Sequence, residues 1–376
     1  MTAPTTWARR RDELLGDLRV VLPSWLAARA LVAIAFVLAV ELLDHWAPGG
    51  RTNQMDEGLL AWDGTFYRDI AADGYQSLPL EALRFFPLFP LLGRAVAYAF
   101  AGHESVALVV VANLCALAAA VVMRRLARLE LGDDAAAERA VWLTALFPSA
   151  FVLVWAYGEA LFLLFSLGAF LAARRGRYGW AAAFAFLAAL TRPVGVLLVA
   201  PLFIEALRTW RGSGAGERAA RLAAVAAPVL GLAAYLGWVG RVFGDPLLPF
   251  SVQTDLRGEG VDPISRLVQG FGDVFGVERF GDGLHVPFAI GFLLLVVVVF
   301  RRLPASYGVY AGLGVLVALS ANNLNSLERY GLATFPLLLA LAALTARPRL
   351  EALALAVCGG GIVSLAALAW LGVYVP

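Results

Sequence analysis

Apolar runs long enough to cross a lipid bilayer recur from one end of the chain to the other, and they restrict it to one class of fold. The clearest cores of these runs are residues 31–43, 106–122, 288–300 and 353–373. A crossing takes roughly 20 apolar residues, because about 30 Å of hydrocarbon is covered at 1.5 Å per residue. Inside lipid the backbone satisfies its own hydrogen bonds, so such runs form helices. Of the 376 residues, 61% are hydrophobic and 15% are charged, which is too little charge for a soluble domain. The sequence therefore predicts a single all-α, polytopic transmembrane domain.

The positions of the arginines predict how the chain crosses the membrane. All 30 basic residues are Arg, and most of them cluster between the apolar runs. Because positively charged loops stay in the cytoplasm, we expect these clusters inside and the segments between them outside. The expected inner clusters lie at 9–19, 124–139, 174–177, 208–221, 301–302 and 347–349. The expected outer segments are 44–104, the surroundings of Tyr157 and of Arg192, 244–284, and 321–329. This pattern gives about eleven spans, with a cytoplasmic N-terminus and a first apolar run that is retained as a span.

Acidic residues concentrate in two of the expected outer segments. Half of all the carboxylates lie within residues 44–84 and 245–283, among them Glu259 and Glu278. Transporters usually keep external loops short and essential charges in mid-membrane. Two large acidic segments on one face are more typical of a catalytic vestibule at the membrane surface.

Prolines predict two breaks in the apolar runs. The run at 85–100 would place the next arginine cluster outside if it crossed, so we interpret it as a re-entrant or interface-lying helix. Pro87 and Pro90 make its start non-helical or kinked. Pro193 disfavours helix at Arg192, which predicts two half-length helices meeting at a break. Such breaks are tolerated where they line a cavity or are buried in protein.

The first outer segment contains a predicted interfacial helix that carries carboxylates. Asp69 and Asp73 lie one turn apart on it, and Gly74 stands where it would stop. Its apolar residues recur at three- and four-residue spacing, as on one face of a helix. These residues are Leu59, Trp62, Phe66 and Ile70. The alternative is a solvated amphipathic helix with ordinary charges.

Three charged residues stand in apolar surroundings near the outer helix ends. Glu159 is costly there unless it faces a cavity or a partner, so it is a functional candidate, with a buried pair to Arg192 as the structural alternative. Arg192 and Arg329 present planar forks suited to phosphate. The alternative for both is an arginine that extends its charge to the interface.

Cysteine and histidine give no sign of a metal site. Cys115 and Cys358 both lie in apolar runs, so we expect free core thiols. The three histidines are scattered and form no zinc-binding spacing.

Several short segments follow one another in an order that resembles a known family. They are Trp62-Asp63-Gly64 with Tyr67, Ile70-Ala71 and Gly74-Tyr75; Phe85-Phe86-Pro87-Leu88 with Pro90; Phe147-Pro148-Ser149 with Tyr157, Glu159 and Phe162; Leu190-Thr191-Arg192-Pro193 with Gly195; Gly244-Asp245-Pro246-Leu247 with Phe250 and Gln253; and Arg329-Tyr330. The ordered set resembles the PIG-V family of GT-C glycosyltransferases over most of the chain. No Asn-x-Ser/Thr acceptor occurs, which favours a bacterial member in the plasma membrane.

The resemblance implies an inverting transferase that uses a polyprenyl-phosphate-linked sugar, such as mannose, with an extracytoplasmic active site and a base in the first outer segment. One carboxylate takes the proton of the acceptor hydroxyl, and arginines stabilise the leaving lipid phosphate. Phosphate leaves readily, so no second, acidic carboxyl is needed. The resemblance also implies no obligatory divalent metal or other cofactor, because monophosphate donors generally need no metal, whereas some GT-C enzymes that use diphosphate donors do.

The implied roles fall on twelve residues. The base is expected to be Asp63, with Asp69, Asp73 and Glu159 as alternatives. Arg192 and Arg329 are expected to bind the donor phosphate, with Arg84 as a weaker third. The residues expected to contact the sugar or shape its cavity are Trp62, Tyr67, Tyr157, Gln253 and Tyr330.

Two other functions remain open at this stage. A lipid transporter or flippase would show internal repeats, and the first outer segment has no counterpart in the second half of the chain. A non-catalytic membrane subunit could keep the fold with dispensable carboxylates. The expected partners of an enzyme are the lipid-phosphate sugar, a lipid, glycan or protein acceptor, and membrane lipids, with no nucleic acid.

Overall fold

A computed structural model describes residues 6–46, 53–208, 210–258, 260–274, 282–321 and 323–376. Its sixteen α-helices are α1 (Thr6–Trp46), α2 (Asp63–Asp73), α3 (Leu88–Ala97), α4 (Glu104–Leu131), α5 (Asp134–Leu146), α6 (Glu159–Arg174), α7 (Tyr178–Thr191), α8 (Val199–Arg208), α9 (Ala215–Phe243), α10 (Leu248–Arg257), α11 (Pro263–Asp273), α12 (Asp282–Arg302), α13 (Ala305–Leu319), α14 (Leu327–Ala333), α15 (Pro336–Leu344) and α16 (Pro348–Trp370). Short 3₁₀ helices lie at Met55–Leu60, Tyr75–Ser77, Leu80–Arg84, Tyr98–Phe100, Ala150–Leu153, Pro193–Leu198 and Trp210–Gly212. These ranges contain no strand, which confirms the all-α prediction.

Five described helices are long and apolar enough to cross a membrane, and a bent pair would make a sixth. The five are α1, α4, α9, α12 and α16, and the pair is α14 with α15, bent by 84°. Their outer faces carry exposed large apolar side chains, such as Leu26, Ile34 and Val37 on α1, as lipid-facing surfaces do. The shorter apolar helices α3, α7 and α13 fall below the length of a full crossing. A multi-pass protein is confirmed, whereas the count of about eleven spans is not.

The first outer segment folds differently from the single amphipathic helix that its apolar spacing predicts. Trp62 adopts a left-handed backbone conformation with φ of 60°, so the helix begins only at Asp63. The indole Nε1 of Trp62 donates to the carbonyl of Ala369, and its backbone N–H donates to Gln54 Oε1. These bonds to α16 and to the preceding loop compete with a continuous helix. As predicted, α2 ends at Gly74, where φ is 80°.

The apolar run at 85–100 forms a short helix with one face buried, at Phe89, Pro90, Gly93 and Ala97. Phe85 is extended, Pro87 precedes the first turn, and α3 covers ten residues, or about 15 Å. This length suits the re-entrant interpretation, because a crossing needs about twice as much. Arg94 of α3 donates to the carbonyls at the end of α2, which holds the two helices together.

The predicted break at Arg192 is present. α7 ends at Thr191, Arg192 is extended with φ of −152° and ψ of 145°, and a 3₁₀ helix begins at Pro193. The new helix folds back so closely that a Cβ on Gly195 would lie 2.6 Å from the backbone of Ala189. Only glycine fits there, so this residue makes the tight break possible.

Replacing Gly195 with Ala is expected to destabilise the fold by about 2–3 kcal/mol, because backbone atoms of α7 have to shift to admit the methyl group. Thermal unfolding in detergent measures this as a lowered melting temperature. Gly179→Ala is the control, since its Cβ would meet no atom within 4 Å. Equal melting temperatures for the two variants would show that the close approach at Gly195 carries no such cost.

The second outer segment contains two short helices, α10 and α11. α11 begins at a cap in which Asp262 accepts hydrogen bonds from the backbone N–H groups of Ile264 and Ser265. α10 packs over the 3₁₀ helix Leu80–Arg84 of the first outer segment. Glu259 and Glu278 lie outside the described residues. Both cysteines are free, as expected, with Cys358 buried.

Candidate active site

One cavity of about 130 Å³ collects side chains from all five segments expected to lie outside. Its lining residues are Asp63, Tyr67, Arg84, Phe85, Phe86, Glu159, Thr191, Arg192, Pro193, Pro249, Phe250, Gln253, Arg329 and Tyr330. Asp63 opens α2, Glu159 opens α6, Arg192 stands at the break after α7, and Arg329 lies in α14. Segments far apart in sequence thus meet at the ends of their helices.

The cavity floor is a chain of alternating charges. Arg329 Nη1 lies 2.6 Å from Asp63 Oδ2, and Arg329 Nε lies 3.2 Å from Glu159 Oε1. The same Glu159 oxygen lies 2.5 Å from Arg192 Nη1. The buried pair of Glu159 with Arg192 is therefore present, and a second arginine shares the carboxylate. Each of the four charged groups has an oppositely charged group beside it, which offsets the cost of burying them.

The two carboxylates differ in their access to the cavity. The side chain of Asp63 is 22% exposed, whereas that of Glu159 is 4% exposed and lies between two guanidinium groups. The Tyr157 hydroxyl accepts a hydrogen bond from the backbone N–H of Asp63 and donates to the carbonyl of Ala61. Tyr157 therefore lies beneath the start of α2 and fixes its position. A base has to reach the proton that it removes, and Asp63 is the better placed of the two.

Arg84 is the cavity cation without a carboxylate beside it. Its guanidinium lies over the rings of Phe66 and Phe85, with centroid distances of 5.3 Å and 4.7 Å. It makes no ion pair and no hydrogen bond with any residue in the described ranges, and its Nε is buried. With three arginines and two carboxylates among the lining residues, the cavity carries one excess positive charge. An anionic group is therefore favoured beside Arg84.

Neutral polar groups complete the walls. Tyr67 lies one turn after Asp63 on α2 and packs edge-on against Phe85 and Phe89. Burial, followed by the charge of Glu159, raises the pKa of Tyr67 above its ordinary value, so the hydroxyl stays protonated. The ring of Tyr330 lies 5.4 Å from the Arg192 guanidinium. Gln253 reaches the cavity from α10.

Four predicted site residues lie outside the cavity lining. Asp69 forms a 2.9 Å ion pair with Arg68. Asp73 is exposed at the far end of α2, about 15 Å of helix from Asp63. The indole of Trp62 points to α16, and Tyr157 is fully buried under the floor.

A buried polar network behind Arg329 was missed from the sequence. The Glu328 carboxylate lies 2.8 Å and 2.9 Å from His285 Nδ1 and accepts a hydrogen bond of 2.9 Å from the Tyr374 hydroxyl. The backbone carbonyl of Glu328 accepts from Ser149 Oγ. These bonds fix α14 and so place Arg329 against Asp63. The position of Glu328 next to Arg329 was the only local indication of this network in the sequence. Its partners His285 and Tyr374 are 43 and 46 residues away.

If the chain catalyses the sugar transfer that the resemblance implies, Glu328→Gln is expected to lower kcat about tenfold, because the amide NH₂ group cannot accept the hydrogen bond of His285 or Tyr374, and the orientation of α14 loosens. Steady-state transfer rates and a melting curve measure this. Glu205→Gln is the control, because Glu205 is equally buried but lies on α8, away from the cavity. It contacts Arg174, at the end of α6 that is remote from Glu159. A fall in kcat for Glu205→Gln of the same size would mean that any buried charge matters equally.

No group of three His, Cys, Asp or Glu side chains that could hold a metal occurs in the part of the chain that the structure describes.

Comparison with known proteins agrees with the predicted family. The family model for Mannosyltransferase (PIG-V) matches residues 49–221, a little under half of the chain. The match confirms the predicted resemblance, and it includes Asp63, Arg84, Glu159 and Arg192. No curated protein matches the chain.

Solved structures show a weak overall likeness. An oligosaccharyltransferase of Archaeoglobus fulgidus, in complex with Zn and sulfate, has a TM-score of 0.45 and 16% identity over 92% of this chain and 53% of its own. The oligosaccharyltransferase AglB of the same organism, with an inhibitory peptide and a dolichol-phosphate, has a TM-score of 0.43 and 14% identity over 93% of this chain and 56% of its own. The chain spans about half the length of these proteins, and likeness at this level carries no argument about its activity.

Proposed function

We propose that the chain is a PIG-V-like glycosyltransferase, in line with the family match over residues 49–221. In this proposal it transfers mannose from a polyprenyl-phosphate donor to an acceptor hydroxyl, with inversion at the anomeric carbon. The observation that carries this is one cavity lined by both the partly exposed carboxylate of Asp63 and the guanidinium of Arg84, which has no acid beside it in the described ranges. In this proposal a sugar phosphate binds with its anomeric carbon toward Asp63 and its phosphate toward Arg84.

The reaction needs one proton acceptor and one stabilised leaving group. Asp63 takes the proton from the acceptor hydroxyl as its oxygen bonds to the anomeric carbon. The bond from that carbon to the phosphate oxygen breaks, and the electron pair leaves with the lipid phosphate. The phosphate thereby gains a negative charge, which Arg84 stabilises, with the positive charge of Arg192 nearby. Attack opposite to the leaving group inverts the configuration.

The remaining lining residues suit recognition of the sugar. Glu159 lies between Arg192 and Arg329 and holds both guanidinium groups at the cavity, where they can donate hydrogen bonds to the substrate. Tyr67, Gln253 and Tyr330 supply further neutral groups. Neither cavity carboxylate is left without an arginine, which favours a reaction without a divalent metal.

The arginine distribution supports a cytoplasmic N-terminus and an extracytoplasmic cavity, and the absence of Asn-x-Ser/Thr acceptors supports a bacterial plasma membrane. The inner clusters predicted from charge lie away from the cavity, as at the end of α6. The acceptor is a hydroxyl of a lipid, glycan or protein.

Labelled transfer in oriented vesicles tests the proposal. Vesicles with the protein are supplied externally with polyprenyl-phosphate-[³H]mannose or GDP-[³H]mannose. We expect the acceptor to be labelled only from the lipid donor and only in right-side-out vesicles. We also expect the new linkage to have the anomeric configuration opposite to that of the donor, as identified by digestion with anomer-specific mannosidases. Transfer from the nucleotide sugar would refute the proposed lipid donor. Transfer in inside-out vesicles would refute the extracytoplasmic position of the cavity, and a product with the same anomeric configuration as the donor would refute inversion.

A further inference from the structure

The hairpin of α6 and α7 carries a second group of arginines at the end opposite to the cavity. α6 begins at Glu159 and runs for 16 residues, or about 24 Å, to Arg174. α7 returns from Tyr178 to Thr191 beside Arg192. The turn at 175–177 is therefore separated from the cavity by most of a bilayer's hydrocarbon thickness.

A basin of about 1000 Å³ opens at this turn, with walls from α1, α4, α7 and α9. Arg175 and Arg177 are exposed in it and make no ion pair or side-chain hydrogen bond with any residue in the described ranges. Arg125 also lines the basin, but it is held 2.6 Å from Asp17. Burial and the charges of Arg125 and Arg177 lower the pKa of Arg175, as expected where like charges face each other.

Two acids also line the basin, Glu13 and Glu217, and neither forms an ion pair with Arg175 or Arg177 in the described ranges. Glu13 and Asp17 raise the pKa of Arg175 less than Arg125 and Arg177 lower it, so positive charge prevails around Arg175. An anion entering the basin gains two guanidinium groups whose planar forks match a phosphate.

An apolar groove of about 310 Å³ continues from the basin along α4, α6 and α7. The groove and the basin share Arg175, Arg177 and Trp180. The groove walls are apolar side chains, among them the partly exposed Val122, Leu164 and Phe184 and the buried Leu171. Trp180 is 63% exposed at the junction of the two. Tryptophan at that position is typical of the headgroup level of a bilayer.

We propose that the basin and groove bind one anionic phospholipid from the leaflet at this end of the protein. Arg175 and Arg177 hold its phosphate, Trp180 lies at its headgroup, and one acyl chain occupies the groove. The continuity of cationic basin and apolar groove selects a lipid over a soluble phosphate, which would leave the groove unused. Juxtamembrane arginines attract anionic lipids in the cytoplasmic leaflet, which agrees with the expected inner position of this turn. The site is independent of the proposed transfer reaction.

Native mass spectrometry of the delipidated full-length protein tests this site. Phosphatidylglycerol and phosphatidylcholine with identical acyl chains are titrated separately. We expect one phosphatidylglycerol to bind at least tenfold more tightly than phosphatidylcholine, and Arg175→Gln with Arg177→Gln to remove that tenfold preference, equivalent to about 1.4 kcal/mol. Equal binding of the two lipids by the unaltered protein would overturn the proposal.

The matched control is Arg347→Gln with Arg349→Gln, an exposed pair with the same spacing at another expected inner cluster. This variant should keep the preference. An equal loss in both double variants would mean that surface charge alone attracts the lipid, which rejects the site.

The groove is tested without altering charge. Val122→Trp fills it and should weaken phosphatidylglycerol binding at least fivefold, whereas sn-glycerol 3-phosphate, a headgroup without acyl chains, should not displace the lipid. Unchanged binding by Val122→Trp, or displacement by equimolar glycerol phosphate, would show that the acyl chain is not held and would refute a lipid site. The Val122→Trp variant and the glycerol phosphate competition also test the lipid site if the double arginine variant fails to fold.

Discussion

Asp63→Asn is expected to lower kcat by about 10³-fold, a loss of about 4 kcal/mol of transition-state stabilisation. Asparagine has the shape of aspartate, and its amide oxygen still accepts a hydrogen bond from Arg329, which also keeps its contact to Glu159. The fold and the cavity therefore persist. The lost property is the ability to take a proton from the acceptor hydroxyl.

The kinetic constants separate a base from a binding group. The substitution removes a negative charge, so the excess positive charge of the cavity rises from one to two, and the KM for the anionic donor should stay equal or fall. A loss confined to kcat identifies a step that follows donor binding. A large rise in donor KM with kcat unchanged would instead assign Asp63 to the binding of the sugar.

Asp69→Asn provides the matched control. Asp69 lies on the same helix, but its carboxylate pairs with Arg68 and does not line the cavity. Transfer by this variant should stay within about twofold, because exposed ion pairs contribute little. Near-normal transfer by Asp63→Asn together with inactivity of Glu159→Gln would move the role of base to Glu159.

The sequence identified most of the cavity because charges in apolar runs have few structural explanations. Glu159, Arg192 and Arg329 stood out for that reason, and all three meet at one place. The break at Arg192 followed from the restriction that Pro193 places on the preceding residue. Local chemistry was enough for these predictions.

Two features of the cavity depend on tertiary contacts that local sequence patterns do not specify. They are the ion pairs between its charged residues and the choice of the arginine that is best suited to bind phosphate. An arginine that is buried in an apolar run needs a carboxylate near it, so the signal that favoured Arg192 and Arg329 also marks them as neutralised. Arg329 and Asp63 are 266 residues apart, and their ion pair is a product of the tertiary fold. Arg84 looked weaker in the sequence, yet among the described residues it is the cavity cation without a paired acid.

The start of α2 also depends on a tertiary contact that the local sequence pattern does not specify. Periodicity joined Leu59 and Trp62 to the helix that follows, because a left-handed residue does not disturb the spacing of apolar side chains. The turn at Trp62 is stabilised by a hydrogen bond to Ala369, which lies 307 residues away. Asp63 is thereby placed at the first position of α2 and at the cavity floor.

Arg84→Gln is expected to lower kcat/KM for the lipid donor by 10²- to 10³-fold, the usual cost of removing a preorganised group from a developing charge. The phosphate carries one negative charge in the donor and two after the bond to the sugar breaks. Arg84 therefore interacts more strongly with the transition state than with the bound donor, and the loss should divide between a higher KM and a lower kcat. Arg84→Lys, which keeps the charge without the planar fork, should recover part of it.

The position of Arg84 makes this a cleaner test than substitution of its neighbours. Removing Arg192 would leave the buried carboxylate of Glu159 with one cation fewer and cost stability as well as activity. Arg84 pairs with no acid in the part of the chain that the structure describes, so its glutamine variant should melt close to the unaltered protein. Arg241→Gln is the charge control, since Arg241 is exposed near the end of α9 and does not line the cavity. An unchanged donor KM and kcat in Arg84→Gln would place the phosphate with Arg192 and Arg329, and the phosphate would then have to compete with Asp63 and Glu159 for both cations.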